Sequence, residues 1–458
     1  LSRVPRHLFD AVRAFAREHD RFHRVRIAGA PAAAWDPVWC SWYGIKGNVD
    51  AAYILGMAPL LRDWGFGSII VDDGWFVRDH FDGETGHYIA DESKFPDMGG
   101  LARQVNEAGL KILLWCAPVF RLGEIAGEPF VAGHLFHPQG QESPEQFLCP
   151  RSPRVRAYAA RMVGHLLRTY PVDGLKIDFI DPLMERAALP CQGAHRHDIE
   201  EYGEAVRELL AGIHRSITEV RPDALIEFRM NYSTLATRPF ATSHRAQDAP
   251  FDGDHIRRMC TRLRSCILDP DAGREGNVAP HTDPAYWLPE EPVENVARFM
   301  ASLVTSAVPM LSMDLRALPE EHRRAVRAWL GWYREHRDLL LFGRHRVLGA
   351  DAHHSLFSVH KGEEAVWGIF TPDAPGVFEL PPQVRRLWIL NGSSRGRLCC
   401  RLEGWQARRL KAGVRDRFLE ERKSLQLPVD NGAASLDIEV EIGGALKLTA
   451  SPVRNGRA

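Results

Sequence analysis

Short apolar runs alternate with amphipathic stretches eight times between residues 36 and 315, and this alternation narrows the possible folds more than any other feature. The candidate strands are 38–44, 67–75, 109–119, 172–181, 224–231, 243–248, 276–281 and 309–314. Helical spacing of apolar residues appears between them, at 101–109, 155–170 and 202–220. This order predicts the α/β class and a closed (β/α)8 TIM barrel. A doubly wound open sheet is the alternative, but its glycine fingerprint is absent after the first strand.

The character of the sequence changes after the helical segment 320–343. Residues 345–450 contain short runs with period-two alternation, separated by turn residues, which is typical of an antiparallel β-sandwich. At the other end, the spacing over residues 5–25 predicts an entry helix. We therefore expect an N-terminal helix and linker (1–35), a catalytic barrel (36–342) and a C-terminal antiparallel β-sandwich (343–458).

Composition excludes several kinds of partner. The 458 residues carry 58 basic and 59 acidic side chains, so no net field is available to hold nucleic acid or an anionic membrane. No apolar run has the length of a transmembrane helix. Eight scattered cysteines and an N-terminal segment without a signal-peptide pattern predict reduced thiols and a cytoplasmic location. The chain begins with Leu1, so the sequence leaves open whether another segment precedes it.

The carboxyl ends of the strands carry the functional side chains in a barrel of this kind. The candidates there are Trp39, Trp42 and Tyr43 on the first strand, Asp72, Asp73 and Trp75 on the second, Trp115 on the third, Lys176 and Asp178 on the fourth, Glu227 and Arg229 on the fifth, and Arg245 and Asp248 on the sixth. Carboxylates from separate strands can act together on one acetal carbon, as acid and nucleophile. Tryptophan rings offer flat apolar faces for a sugar ring. The combination predicts a carbohydrate-active site.

Lys176 and Asp178 are two residues apart in the fourth candidate strand. Side chains at this spacing lie on the same face of a strand. A nearby ammonium group favours the ionised form of a carboxylate, which is the form that a nucleophile needs. The pair therefore marks Asp178 as the candidate nucleophile.

These segments resemble the α-galactosidase (melibiase) group of clan-D glycoside hydrolases. The matching segments are WCSWYG (39–44), IIVDDGW (69–75), FPDMGGLARQVNEAGLKILLW (95–115), DGLKIDFID (173–181) and SHRAQDAPFD (243–252). They occur in the same order as in the family and together span roughly residues 36–315. The pair of DDGW and Lys-x-Asp is the most specific part of the resemblance.

The resemblance implies retaining exo-hydrolysis of terminal α-galactosides, with Asp178 as nucleophile and Asp248 as acid/base. It implies no cofactor or metal, and a small-molecule or oligosaccharide substrate; a homo-oligomer is left open. The expected substrate-binding residues are Asp72, Asp73, Trp39, Trp115, Lys176, Arg229 and Arg245.

Several alternatives stay open at this point. Asp252 and Asp254 compete with Asp248 for the acid role, and a structural role for one of the Asp72–Asp73 pair is left open. Within the same clan, α-glucosidase or α-N-acetylgalactosaminidase activity is possible. Other classes are a Mg²⁺-dependent barrel lyase, which loss of activity with a chelator would identify, and a non-catalytic sugar-binding protein. His195 and His197 resemble a metal-ligand pair, but they follow strand four, so no metal site is predicted.

Overall fold

The computed structural model describes residues 8–27, 29–77, 88–122, 135–136, 145–180, 196–229, 235–245, 247–348, 355–371 and 376–450. Its first strands are β1 (Val38–Cys40), β2 (Ser68–Val71), β3 (Lys111–Cys116), β4 (Phe120–Leu122), β5 (Leu135–Phe136), β6 (Glu145–Leu148), β7 (Gly174–Ile177), β8 (Leu225–Arg229), β9 (Ser243–Arg245), β10 (Ala279–His281) and β11 (Met310–Leu311). Strands β4, β6 and β5 form a small antiparallel sheet. The other eight are the strands that the sequence predicts.

These eight strands form one parallel sheet in the order β10-β9-β8-β7-β3-β2-β1-β11. A parallel bridge between His281 and Val308 brings the two ends together, so the barrel is nearly closed. The predicted (β/α)8 barrel is confirmed. Its strands are short and buried on both faces, as in SIIV of β2 and KILLWC of β3, because one face fills the barrel and the other packs on helices.

The α-helices of the described residues are α1 (Leu8–His23), α2 (Trp42–Ile45), α3 (Ala51–Asp63), α4 (Met98–Glu107), α5 (Pro153–Thr169), α6 (Tyr202–Val220), α7 (Gly253–Ile267), α8 (Val293–Ser306) and α9 (Glu320–Phe342). Several begin at side-chain caps: Asp97 accepts from the backbone N–H of Gly100, three residues into α4. In this part of the chain, no helix combines the length and the apolar character needed to cross a bilayer.

The C-terminal strands are β12 (Arg344–Leu348), β13 (Leu356–Lys361), β14 (Glu364–Ile369), β15 (Val377–Glu379), β16 (Arg386–Asn391), β17 (Arg397–Glu403), β18 (Arg409–Arg415), β19 (Glu421–Pro428), β20 (Ala433–Glu439) and β21 (Ala445–Ala450). They form a seven-stranded and a three-stranded sheet, with one apolar core contributed by both. Pairing is mostly antiparallel, as predicted, but β14–β16 and β15–β17 are parallel. The domain boundaries at 35/36 and 342/343 stay predictions.

Candidate functional site

Strand register places a set of polar side chains on the inner face of the barrel. Lys176 lies level with Trp115 on β3 and with Glu227 on β8, and Arg229 lies level with Arg245 on β9. Residues that are level on neighbouring parallel strands point to the same face. Lys176 reaches Asp72, beyond the intervening strand β3, so the shared face is the inner one.

Alternating acids and bases connect the carboxyl ends of five strands. We call this set the strand-end charge network; in order of contact it consists of Asp72, Lys176, Asp178, Arg229, Asp248, Arg245 and Asp283. Each member lies within 3.8 Å of the next, measured between nitrogen and oxygen. Four carboxylates thus alternate with three cations, so each charge has an opposite charge beside it.

Asp178 follows β7 and is held through both carboxylate oxygens. Oδ2 accepts a hydrogen bond from Trp115 Nε1 at 2.9 Å, and Oδ1 accepts from the backbone N–H of Phe179 at 2.7 Å. Phe179 has φ +54°, an uncommon conformation for a bulky residue, and strain of this kind concentrates at functional sites. Lys176 Nζ lies 3.8 Å from Oδ2, as the spacing of two predicts. The carboxylate is therefore fixed in orientation.

Trp115 allows a direct test of this orientation. Trp115→Phe removes the N–H that Asp178 accepts but keeps a flat ring, so we expect kcat to fall about 10- to 100-fold, the range for a hydrogen bond to a charged group. Trp329→Phe is the matched control, because Trp329 is buried in α9 and donates to the Arg417 carbonyl, away from the network. Steady-state kinetics on both variants would measure the difference; equal rates would contradict the role of Trp115.

Asp72 and Lys176 form the buried end of the network nearest β2. Lys176 Nζ donates to Asp72 Oδ2 at 2.5 Å, and the Cys40 thiol donates to the same oxygen at 3.1 Å. Burial would lower the pKa of Lys176, but the Asp72 carboxylate raises it above its usual value. The lysine is therefore a fixed cation. The predicted contacts of Asp72 and Lys176 with sugar hydroxyls stay predictions.

Asp73 and Trp39, two further predicted sugar contacts, do not belong to the strand-end charge network. Asp73 is half-buried and its backbone N–H donates to Asp72 Oδ1 at 2.9 Å. Trp39 has no exposed surface; it stacks on Tyr53 of α3, and its indole N–H donates to the Met313 carbonyl. The prediction that Trp39 lines a pocket does not match this placement, because Trp39 lies on the helix-facing side of β1.

Asp248 is the most exposed acid of the network, with 47% of its side chain accessible. Arg229 Nη2 donates to Oδ2 at 2.5 Å, and Arg245 Nη1 donates to Oδ1 at 3.0 Å. Partial burial would raise the pKa of Asp248, but the charges of Arg245 and Arg229 hold it well below its usual range. In this geometry the carboxylate is ionised.

The rival acids, Asp252 and Asp254, make other contacts. Asp252 is the N-cap of α7, and its Oδ1 accepts from the backbone N–H groups of Asp254 and His255, both at 2.9 Å. Asp254 Oδ1 accepts from Arg257 at 2.7 Å. Both residues therefore stabilise the N-terminal turn of α7. This placement favours Asp248 for the acid role.

Sequence reasoning missed Asp283 and the pairing of Glu227. Asp283 follows β10 by two residues, and a search slightly beyond the end of the seventh strand would have found it. Glu227 was a strand-end candidate without an assigned role; its Oε2 contacts His281 Nδ1 at 2.6 Å and the residue is buried. Burial would raise the pKa of Glu227, but His281 and Arg245 lower it.

The structure gives no support for a metal site at His195 and His197. His195 lies outside the described residues, and His197 Nδ1 is 3.7 Å from Glu200. Within the described ranges, no group of three or more His, Cys, Asp or Glu side chains could hold a metal ion.

A groove of ≈ 550 Å³ is lined by none of the members of the network. Its lining includes Phe251, Tyr286 and Leu288, from the loops that follow β9 and β10. Cavity size alone would therefore not have located the charged site.

Carboxylates that converge at the strand ends of such a barrel are the arrangement expected of a glycoside hydrolase. No protein-family model matches the chain. α-Galactosidase AgaA of Geobacillus stearothermophilus is 23% identical over 383 residues, which cover 78% of this chain and 48% of that protein. A probable α-galactosidase B of Neosartorya fischeri is 34% identical over 114 residues, 24% of each chain. The chain thus spans about half or less of these relatives.

Solved structures agree with the fold. The crystal structure of a single-site variant of AgaA from Geobacillus stearothermophilus, a glycoside hydrolase family 36 α-galactosidase, in complex with 1-deoxygalactonojirimycin gives a TM-score of 0.62 at 16% identity, covering 96% of this chain and 59% of that one. The galactosidase domain of the α-galactosidase-sucrose kinase AgaSK also gives 0.62, at 14% identity and with 96% and 58% covered. The resemblance seen in the sequence is confirmed: this chain is related to the α-galactosidase group of clan-D glycoside hydrolases.

Proposed function

We propose that the protein is a retaining exo-α-galactosidase that acts through a covalent glycosyl-Asp178 intermediate. The observation that carries the proposal is the contact of two aspartates with one guanidinium. Arg229 Nε lies 3.8 Å from Asp178 Oδ1, and Arg229 Nη2 lies 2.5 Å from Asp248 Oδ2. Carboxylates this close can act on a single anomeric carbon. The choice of galactose rests on the names of the relatives, α-galactosidases.

In the proposed first step, Asp178 attacks the anomeric carbon while the bond to the leaving oxygen breaks. Asp248 gives its proton to that oxygen. In the second step, Asp248 takes a proton from water, and the water oxygen displaces Asp178 from the sugar. Net retention follows from two inversions at the same carbon.

The proposed acid must be protonated before the first step. Arg229 and Arg245 both donate to Asp248, and their charges oppose protonation. A sugar hydroxyl that accepts from either guanidinium would compete for those hydrogen bonds. Substrate binding would then raise the pKa of Asp248 at the moment when the proton is needed.

The leaving group provides the test of Asp248. We expect Asp248→Ala to lose about 10²- to 10⁴-fold in kcat/KM on methyl α-galactoside, the usual contribution of a general acid. The loss should be much smaller on p-nitrophenyl α-galactoside, since nitrophenolate departs without a proton. Kinetics on the two substrates would measure this.

Asp252→Ala is the matched control, because it removes the rival carboxylate. We expect normal rates on both substrates and a loss of about 1 kcal/mol in the free energy of unfolding, as for other N-caps. A leaving-group effect in Asp252→Ala, with none in Asp248→Ala, would exchange the two assignments.

The activity itself is tested on p-nitrophenyl α-galactoside, α-glucoside and α-N-acetylgalactosaminide. We expect hydrolysis of the α-galactoside, with α-galactose as the first product by proton NMR. β-Galactose as first product would rule out retention, and preference for another glycoside would change the substrate. Complete inactivity with normal sugar binding would favour a non-catalytic protein.

We also propose an oligosaccharide substrate and a cytoplasmic location. AgaA variants have been crystallised with raffinose and stachyose, which supports oligosaccharides as a substrate class. The cysteines that the structure describes are free thiols, as expected in a reducing compartment.

A further inference from the structure

Asp283 forms the end of the strand-end charge network nearest β10, with Arg245 between it and Asp248. Only 1% of its side chain is exposed. Its Oδ1 accepts from Arg245 Nη1, and its Oδ2 accepts from the backbone N–H of Ala249 at 2.7 Å. Ala249 directly follows Asp248. Asp283 therefore contacts both the arginine that pairs with Asp248 and the loop that carries Asp248.

We propose that Asp283 is a positioning residue that shares Arg245 with Asp248 and so keeps Asp248 able to take up a proton. This inference rests on the proposed function, in which Asp248 is the acid/base. Arg245 Nη1 donates to both carboxylates. Asp283 therefore offsets part of the positive charge that would otherwise act on Asp248.

The surroundings of Asp283 show how its own charge behaves. The charged and titratable groups that act on it or respond to it are Arg245, Asp248, Lys176, Tyr43 and Cys260. Burial raises the pKa of Asp283 to about 6, although Arg245 opposes the rise. Above that pH, Asp283 is ionised. Two like charges disfavour each other's ionised form, so an ionised Asp283 favours protonation of Asp248.

Removing the charge of Asp283 should therefore shift the pKa of Asp248 in one direction only. In Asp283→Asn, the amide oxygen can still accept from the Ala249 N–H, but the negative charge is gone. Arg245 then keeps Asp248 and the more distant Glu227, 3.9 Å from its Nε, as counter-ions, so more of its charge acts on Asp248 and the pKa of Asp248 falls further. Because the acid must be protonated in the step that kcat/KM reports, the basic limb of the pH profile moves to lower pH.

Asp173 offers a matched control at the other end of the barrel. It directly precedes β7 and is likewise a buried carboxylate held by cations and a backbone amide. It accepts from Lys111 Nζ at 2.9 Å, the Ile112 N–H at 3.0 Å and Asn106 Nδ2 at 2.6 Å, and Arg221 lies 3.5 Å away. Asp173→Asn removes a similar charge without touching the network. Any general effect of losing a buried carboxylate should appear in both variants.

The experiment compares pH profiles of kcat/KM on methyl α-galactoside for the wild-type protein and both variants, with circular dichroism to check folding. We expect the basic limb of Asp283→Asn to move to lower pH by about one unit, and that of Asp173→Asn to stay in place. Asp283→Glu, which keeps the charge, should restore the limb. A folded Asp283→Asn protein with an unmoved limb would overturn the inference.

Two further results remain informative. If Asp283→Asn does not fold, Asp283→Ser removes the same charge with a smaller side chain and carries the same expectation. A wild-type protein without activity on any α-galactoside would reject the proposed function and this inference with it. An active wild type with unmoved limbs would reject only the role of Asp283.

Discussion

Asp178→Asn should keep its fold and lose turnover by several orders of magnitude on every α-galactoside, including those with good leaving groups. The amide cannot form a stable bond to the anomeric carbon, so neither half of the double displacement can proceed. A better leaving group does not help, because the missing component is the nucleophile. Rates on p-nitrophenyl α-galactoside would measure the loss.

Azide separates a missing nucleophile from a missing acid. In Asp178→Gly, azide should attack the α-galactoside directly and give β-galactosyl azide. In Asp248→Gly, azide should instead displace Asp178 from the covalent intermediate and give α-galactosyl azide. The anomer formed therefore assigns each aspartate independently of rate.

The control for Asp178→Asn is Asp173→Asn, which lies at the opposite end of β7. Both changes neutralise a buried carboxylate directly next to an end of this strand. Only the first should abolish activity. An Asp178→Asn protein that retains substantial turnover would contradict the assignment of Asp178 as nucleophile. The barrel would then have no assigned nucleophile.

The barrel was predictable because strand and helix differ in period. Each apolar run that the sequence marks as a strand is a strand of the barrel, and from β1 to β10 barrel strands that are consecutive in the chain are neighbours in the sheet. Helix ends were predictable where polarity changes, as at Tyr202 and Val220 of α6. The parallel pairs β14–β16 and β15–β17 were not predictable, because alternation within a strand carries no information about the direction of its neighbour.

The site was predictable to the extent that strand ends converge. The rule that functional residues follow the strands identifies every member of the strand-end charge network except Asp283. Asp283 was missed because the candidate strand stops at His281, and the chain needs two more residues to turn back toward Arg245.

The sequence alone did not predict which side chains of a strand point into the barrel and which point towards the helices. Alternation shows that Trp39 and Cys40 point to opposite sides of β1, but it does not show which side is the interior. Only the pairing with β2 settles this, since Cys40 lies level with Ile70 and reaches Asp72. Trp39 is therefore on the outside, although tryptophan is the more typical sugar-binding residue.

Lys176→Met should lower the free energy of unfolding by about 3–5 kcal/mol, the usual cost of removing one partner from a buried ion pair. Lys176 and Asp72 each have 3% or less of the side chain exposed, so water cannot replace the missing ammonium. Asp72 would keep the Cys40 thiol and the Asp73 N–H as donors, but neither carries a charge. Urea titration followed by tryptophan fluorescence would measure the loss.

Lys111→Met is the matched control, because it breaks a pair with similar geometry near the surface. Lys111 Nζ lies 2.9 Å from Asp173, but 44% of the lysine side chain is exposed, so the expected loss is about 1 kcal/mol or less.

The double variant Asp72→Asn/Lys176→Met should recover most of the stability, since it leaves no unpaired charge. It should not recover activity if the ammonium group also acts on Asp178, 3.8 Å away. Equal losses in the two single variants would show that the barrel tolerates an unpaired Asp72, and the pair would then serve the chemistry rather than the fold.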